Sequence, residues 1–413
     1  MNMPSGAIRH DKKLALTSKH FHENKFAIYR YLRGHLPVHR VSVFGMGMYA
    51  TARYDDCLTV LKDDRFGRDR SAITGGSKLP FPTPKSVQLL SNSMIIMDDP
   101  EHRRLRTLVH KAFAPKHVHQ MEERVESLAH ELIDKTLKQS AKGEADIRAE
   151  YALDIPVAVI SQMMGVSDDE MDLVRNSIRV LSDGLSGWSV IRTFAWDIRK
   201  VIEHLRELVA RKRKQPGDDI LSALIQAEED GDKLSEDELL SMVFLLIVAG
   251  FETTVHLITN GVLTFIDHPD QFERLKNNPE LLGSAVEEVL RFSGPIHGTK
   301  MNYAKEDVEL RGVTIPKGAP VMPLLGSANR DENVFENADQ FDIARDPNRH
   351  LAFSQGNHFC LGAFLARMET KLAFKVLFER APNIQLAIPR DQIELERTPG
   401  WHRHKRLPVY LNP

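Results

Sequence analysis

Of the two cysteines in the 413 residues, Cys57 and Cys360, one stands where chemistry is expected. Cys360 lies in the run Phe353-Ser-Gln-Gly-Asn-His-Phe-Cys-Leu-Gly362, which opens directly onto a helical stretch. A cysteine at a helix N-terminus feels the positive end of the helix dipole, which favours the thiolate. Gly356 and Gly362 let the backbone turn tightly and approach a flat ligand. Amides after the cysteine can hydrogen-bond its sulfur and tune a bound metal. His358, two residues earlier, can donate to an acidic group on the ligand. A zinc site from His350, His358 and Cys360 is the other arrangement these residue types allow, but it lacks a fourth ligand and the usual spacing.

A second constellation is Ala249-Gly250-Phe251-Glu252-Thr253-Thr254, at the middle of a long apolar helical pattern. Gly250 has no Cβ, so a ligand can lie against the backbone there. Thr253 can bond a carbonyl one turn earlier and open the helix locally. Glu252 and Thr253 are an adjacent acid and alcohol, suited to passing protons into a water-poor site. Burying such a carboxylate is costly, which argues for a use. His102 and Arg106 are four apart on one helix face, and arginine grips a carboxylate bidentately. Glu288 and Arg291, three apart, can pair on one face and fix the fold.

These groups need a scaffold, and helical periodicity dominates the chain. A helix should follow Asp99-Pro100, with others over 117–140, 154–164, 168–182 and 191–213. The clearest starts at Ser235, where Ser235 and Glu238 form a capping box, and runs about 32 residues to Asp267. Another starts at Asn278-Pro279 and stops at Gly294-Pro295; a last one runs from near Leu361 to before Pro382. Strands are few: 41–51 reads as an edge hairpin, and Val308 onward (VEL-RG-VTI) as a tight one. The Gly/Pro/Ser-rich stretch 71–97 reads as a long, functional loop. The expected fold is mainly α with small β-sheets, in a single domain over 1–413.

Composition narrows the rest. With 42% hydrophobic residues the chain can bury a large core. A net charge of −2 gives no basic excess for nucleic acid. Two cysteines exclude a disulfide framework and suit a reducing cytoplasm. The N-terminus shows no signal or anchor pattern, and the longest apolar run, Met242 to Phe251, is short of a span. A soluble protein is expected. No Gly-rich flavin or nicotinamide motif follows a strand.

The cysteine loop resembles the haem-binding signature of the cytochrome P450 family, Phe-x-x-Gly-x-His-x-Cys-x-Gly. Ser354 stands where that family often has glycine. The likeness covers nearly the whole chain, because the other constellations follow in family order. It implies the cytochrome P450 fold and haem b, with Cys360 as the iron's ligand. Cofactor contacts come from Phe353, Gly356, His358, Gly362, Ala249 and Gly250, with propionates clamped by His102 and Arg106. Glu252 and Thr253 deliver protons. Glu288 and Arg291 are structural, with Arg345 or His350 completing the network because Gln340 holds the usual basic place. A further propionate arginine usually stands two residues before the Ala of Ala304-Lys-Glu-Asp-Val308. Here that position is Asn302: Lys300 or His297 could compensate, or one propionate is simply held less tightly.

The same likeness implies a monooxygenase that puts one atom of O2 into a C–H or C=C bond of an apolar small molecule, such as a polyketide. Met94, Ile95, Ile96, Ile247 and Ile296 are its pocket walls and 178–192 its mobile lid. A ferredoxin-type or flavodoxin-type donor with its reductase would dock near Cys360, on Arg103, Arg104, Lys111, Lys116 and Arg367. Two alternatives stay open: a haem-thiolate enzyme that couples or rearranges without oxygen insertion, and a non-catalytic haem sensor or carrier. No nucleic acid and no membrane anchor are expected.

Overall fold

The computed structural model describes residues 14–77, 93–110, 113, 119, 121–139, 143–166, 198–229 and 234–412. Its principal helices are α1 (Lys25–His35), α2 (Tyr54–Lys62), α3 (Glu101–His110), α4 (Glu122–Gln139), α5 (Asp154–Met163), α6 (Ile198–Lys214), α7 (Ile220–Glu229), α8 (Glu236–Asp267), α9 (Leu282–Ser293) and α10 (Ala363–Arg380). The expected helices lie where the periodicity put them, except that the 168–182 pattern and the starts of the 117–140 and 191–213 patterns fall outside the described residues. The chain divides into two compact units. One comprises residues 1–75, 259–360 and 385–407, the other 76–258, 361–384 and 408–413.

The first unit holds a six-stranded sheet. In chain order its strands are β1 (Leu14–Ala15), β2 (Val38–Val43), β3 (Met46–Thr51) and β4 (Phe66–Gly67). After β5 (Glu144–Asp146), which belongs to the other unit, come β6 (Asn302–Ala304), β7 (Val308–Leu310), β8 (Val313–Ile315) and β9 (Pro320–Pro323). The sheet order is β1-β2-β3-β9-β6-β4. The 41–51 hairpin is therefore interior, not an edge: β1 pairs with β2, and β9 with β3. Its turn places Phe44 at φ 49° and Gly45 at φ 81°, the two left-handed residues that match strand twist in a two-residue hairpin. One sheet face packs Val41, Val43, Met48, Ala50 and Met322 against Phe21, Tyr29 and Leu32. The other gathers Val60, Phe66, Ala304 and Val321 with Val308 and Ile315 of the separate β7–β8 hairpin.

The second unit is helical. In it β5 pairs antiparallel with the strand Pro408–Tyr410. Tyr151, fully buried, ties its π-helical turn to α10 by donating to the Ala373 carbonyl at 2.7 Å.

Helix α8 is capped as its sequence says: the Ser235 hydroxyl accepts from the Glu238 N–H at 3.2 Å, and the Glu238 carboxylate from the Ser235 N–H at 2.8 Å. By length and composition α8 could cross a membrane, which counting uninterrupted apolar residues missed. Two-thirds of that window (67%) is buried inside the protein, and polar residues thread it. Near its end, Asn260 donates to the Ser293 and His402 carbonyls at 2.9 and 2.8 Å, and Thr264 to the Ser293 hydroxyl at 2.8 Å. It is a core helix carrying satisfied polar groups.

Candidate active site

The cysteine loop belongs to the first unit. Cys360 is half-buried, and its N–H donates to the Phe353 carbonyl at 2.9 Å, closing the loop on itself. Ser354 takes φ 61° and Gly356 φ 72°. A Cβ on Gly356 would lie 2.4 Å from the Leu61 carbonyl oxygen, so that position admits only glycine. Ser354, by contrast, holds a left-handed conformation without being glycine, a strain of order 1 kcal/mol that the loop sustains. Gly362 differs again: nothing lies within 4 Å of a Cβ built there. That open side, next to the cysteine, suits a flat ligand.

The zinc arrangement fails on geometry. His350 Nε2 lies 3.0 Å from Glu287, and its Nδ1 accepts from the Ala352 N–H at 3.2 Å. Both ring nitrogens are thus occupied. Among the described residues no three His, Cys, Asp or Glu side chains gather to hold an ion. A single thiolate fits a metal whose other ligands arrive with a cofactor, as in haem.

In the same unit Glu288 and Arg291 form a pair with no side-chain exposure, at 2.7 Å. Arg345 reaches Glu288 at 3.1 Å, and Asn348 and the Asp342 N–H complete the carboxylate's partners. Arg291 also donates to the carbonyls of Asn329, Ala338 and Gln340 at 2.9, 2.8 and 2.9 Å. Of the two basic candidates, Arg345 completes the network, and Gln340 contributes only its main chain.

The second unit carries the acid–alcohol pair. Thr253 donates to the Ala249 carbonyl at 2.9 Å and Thr254 to the Gly250 carbonyl at 3.3 Å, so two successive carbonyls of one turn are shared with side chains. Glu252 is 5% exposed. On this mostly buried helix Ala249 is exposed and Thr253 half-exposed, four residues apart on one stripe. Gly250 serves packing: a Cβ there would meet Ile160 Cδ1 of α5 at 2.5 Å. Room for a ligand was expected at Gly250; the opening is at Ala249 instead.

A group the sequence reading missed sits beside this pair. Glu369 of α10 is 1% exposed, and neither carboxyl oxygen has a hydrogen-bond partner. The Thr254 hydroxyl is its polar neighbour, but that hydroxyl is directed at Gly250. Burial therefore pushes the Glu369 carboxyl up to about 8, with Thr254 acting weakly against it. The signal was an acid at helical spacing from the apolar Leu365, Leu372 and Ala373, all buried.

On α3, His102 is buried and its Nδ1 lies 3.3 Å from Asp99, which orients the ring; Arg106 lies one turn on, half-buried. Arg103 and Arg104 do not form an open docking patch. Arg103 pairs with Asp99 at 2.8 Å, and Arg104 with Glu101 at 2.8 Å and with Glu238 of α8. Lys111 and Lys116 lie outside the described residues, as do 178–192 and 78–92 of the two loop segments. Of the apolar pocket candidates, Met94 and Ile247 are buried and Ile95 and Ile96 half-buried. Ile296 is half-buried and packs with Cys57, Leu325, Ala328 and Leu351.

The profile of the family described as "Cytochrome P450" matches residues 28–381. The chain is 37% identical over 399 residues to the polyketide biosynthesis cytochrome P450 PksS of Bacillus subtilis, covering 95% of this chain and 97% of that one. It is 39% identical over 362 residues to the mycinamicin IV hydroxylase/epoxidase of Micromonospora griseorubida, covering 86% and 88%. Among solved structures, the myxobacterial cytochrome P450 CYP267B1 in complex with myristic acid superposes with a TM-score of 0.90 at 36% identity, over 96% of this chain and 99% of that one.

Proposed function

The chain belongs to the cytochrome P450 family and is a haem-dependent monooxygenase of that kind, and from that premise we propose that it hydroxylates or epoxidises a mostly apolar secondary metabolite, a polyketide being the favoured class. When bound, the haem supplies dioxygen activation at an iron whose thiolate ligand favours O–O cleavage. Cys360 provides that thiolate, His102, Arg106 and His358 hold the propionates, and Gly362 leaves the cofactor room. Glu252 gathers protons and the Thr253 hydroxyl hands them on. While it donates to the Ala249 carbonyl, the Thr253 oxygen keeps lone pairs to receive a proton.

The observation that carries this reading is the Thr253 hydroxyl held on the Ala249 carbonyl at 2.9 Å, beside buried Glu252 and on the open stripe of α8. The substrate class is supported by the relatives, which are named for polyketide biosynthesis and for hydroxylation or epoxidation of mycinamicin IV. Electrons come from a separate donor, a ferredoxin or flavodoxin with its reductase, in the cytoplasm. Phe359 and Phe364, exposed rings on either side of Cys360 in the chain, support an apolar contact for it.

The reduced protein under carbon monoxide should show the far red-shifted Soret band of a thiolate-bound haem. With a donor system, a macrolide or polyketide substrate and labelled dioxygen, product should carry one labelled atom. Product without label would transfer the chain to the coupling or rearranging class; no turnover with any spin-shifting compound would favour a sensor or carrier.

A further inference from the structure

Helix α6 reads IRKVIEHLRELVARKRK, a basic helix whose only acids are Glu203 and Glu207, in a chain of net charge −2. Its apolar side is buried: Val201, Leu205, Leu208 and Val209 pack inward, and the helix lies on α7. Its outward side is charged. Arg199, Arg206 and Arg213 are all exposed and recur every seven residues. They therefore fall near one line of the helix, over about 21 Å at 1.5 Å per residue. Lys200 and Lys214 flank that line, and Ala210 is the one uncharged residue among the described exposed positions of α6.

Local energetics account for part of this row only. The helix dipole favours the cations of the last turn, and Lys212 is taken by Asp219 at 2.7 Å. Arg199 and Lys200 stand in the first turn, where the dipole opposes a cation. Arg199, Lys200, Arg206 and Lys214 make no ion pair among the described residues. Water tolerates such a row, but neither packing nor the dipole produces it.

The face suits an acidic protein better than other polyanions. A helix that lies on a membrane turns large apolar side chains outward, and α6 turns none. A nucleic acid would meet Glu203 and Glu207 within the basic face, whereas a protein can set its own cations against them. The electron donor has a different address in this unit: the exposed Phe364 stands on α10, which packs on α4 and α5.

We propose that the exposed row on α6 docks a small acidic carrier protein that bears the substrate's acyl chain as a thioester. The proposal rests on the polyketide reading above, since chains of that class are built as thioesters on carrier proteins. The chain is oxidised while tethered, and the thioester itself takes no part.

The test is binding of a fluorescently labelled bacterial acyl carrier protein, loaded with a myristoyl chain, to the holoenzyme by fluorescence anisotropy. The parent should bind, and raising salt from about 50 to about 300 mM should weaken binding about tenfold, because exposed charges are screened. Arg199→Glu combined with Arg206→Glu should weaken it about tenfold or more at low salt, since like charges then face each other. Arg199→Ala combined with Arg206→Ala should fall between, and carries the test should the glutamate pair fail to fold. Melting temperature and the carbon monoxide band should match the parent in both pairs. No binding by the parent at low salt overturns the proposal, and so does binding that the variants leave unchanged. Variants that lose reduction by a ferredoxin together with carrier binding also overturn it, because the face then serves the electron donor. Failure of the substrate reading looks different. Carrier binding that the variants lose, with no polyketide oxidised either free or tethered, keeps the docking face and sinks the polyketide class. A free macrolide oxidised by a parent that binds no carrier protein does the reverse.

Discussion

Glu369→Gln should stabilise the protein at alkaline pH and change little in mild acid. The carboxyl is 1% exposed, both oxygens are without hydrogen-bond partners, and burial moves it from 4.5 to about 8. Because the folded value is raised, the unfolded chain releases this proton between those two pH values while the folded protein keeps it. The group's contribution is complete below about pH 4.5 and is lost as pH rises through 8. Taken whole, the displacement corresponds to roughly 5 kcal/mol, at about 1.4 kcal/mol for each tenfold in acidity. Relaxation and water entry around a newly charged carboxylate bring the working figure to about 2–3 kcal/mol. Glutamine has nearly the same shape and no proton to lose, so its stability should not fall over that span. Urea unfolding of both holoenzymes at about pH 5.5, 7 and 9, followed by tryptophan fluorescence and the Soret band, reads the difference. The curves should meet at the acid end and separate towards the alkaline end. Parallel curves across the range would refute the reasoning, since they would show that Glu369 titrates alike in both states.

Arg291→Ala should cost about 3–5 kcal/mol in urea unfolding, because it strips a fully buried carboxylate of its main partner; a loss under about 1 kcal/mol would mean Arg345 suffices alone. His297→Phe should flatten the acid limb of the stability profile. His297 and His402 lie well below the usual histidine range, through burial first and then neighbouring basic groups, so their stability is full above about pH 6.5 and lost as pH falls. An unchanged acid limb would place that loss in other groups. Gly356→Ala and Gly362→Ala should separate: the first meets the Leu61 carbonyl at φ 72° and should lower the melting temperature, while the second meets nothing within 4 Å and should chiefly weaken haem retention. Equal melting losses in the two would contradict the loop geometry.

Much of the site could be read along the chain because its logic is local. The Ser235–Glu238 box, the Thr253 bond to Ala249 and the Glu288–Arg291 pair each join residues within one helical turn, so spacing alone predicts them. The hairpin turns at Phe44-Gly45 and Arg311-Gly312 are local in the same sense. What spacing could not supply was the identity of a distant neighbour. That Ile160 fills the space before Gly250, that Arg104 is taken by Glu238, and that the 41–51 hairpin is interior all depend on residues far away in sequence. Glu369 belongs with these: an acid at helical spacing from apolar residues is visible, but only packing shows that its oxygens meet no donor.

The departures from the family pattern divide on the same line. Ser354 departs locally, and its φ of 61° shows the loop keeping glycine's conformation without glycine. A motif can tolerate that, because the backbone geometry is also fixed by the Cys360–Phe353 bond and by Gly356 against Leu61. Asn302 departs in charge, and no neighbour in sequence restores a guanidinium: Lys300 is exposed and the His297 ring is neutral. Asn302 is buried and faces Val321 of β9, which brings no charge either, so the loop's backbone geometry absorbs the change at 354 while nothing comparable offsets the lost charge at 302.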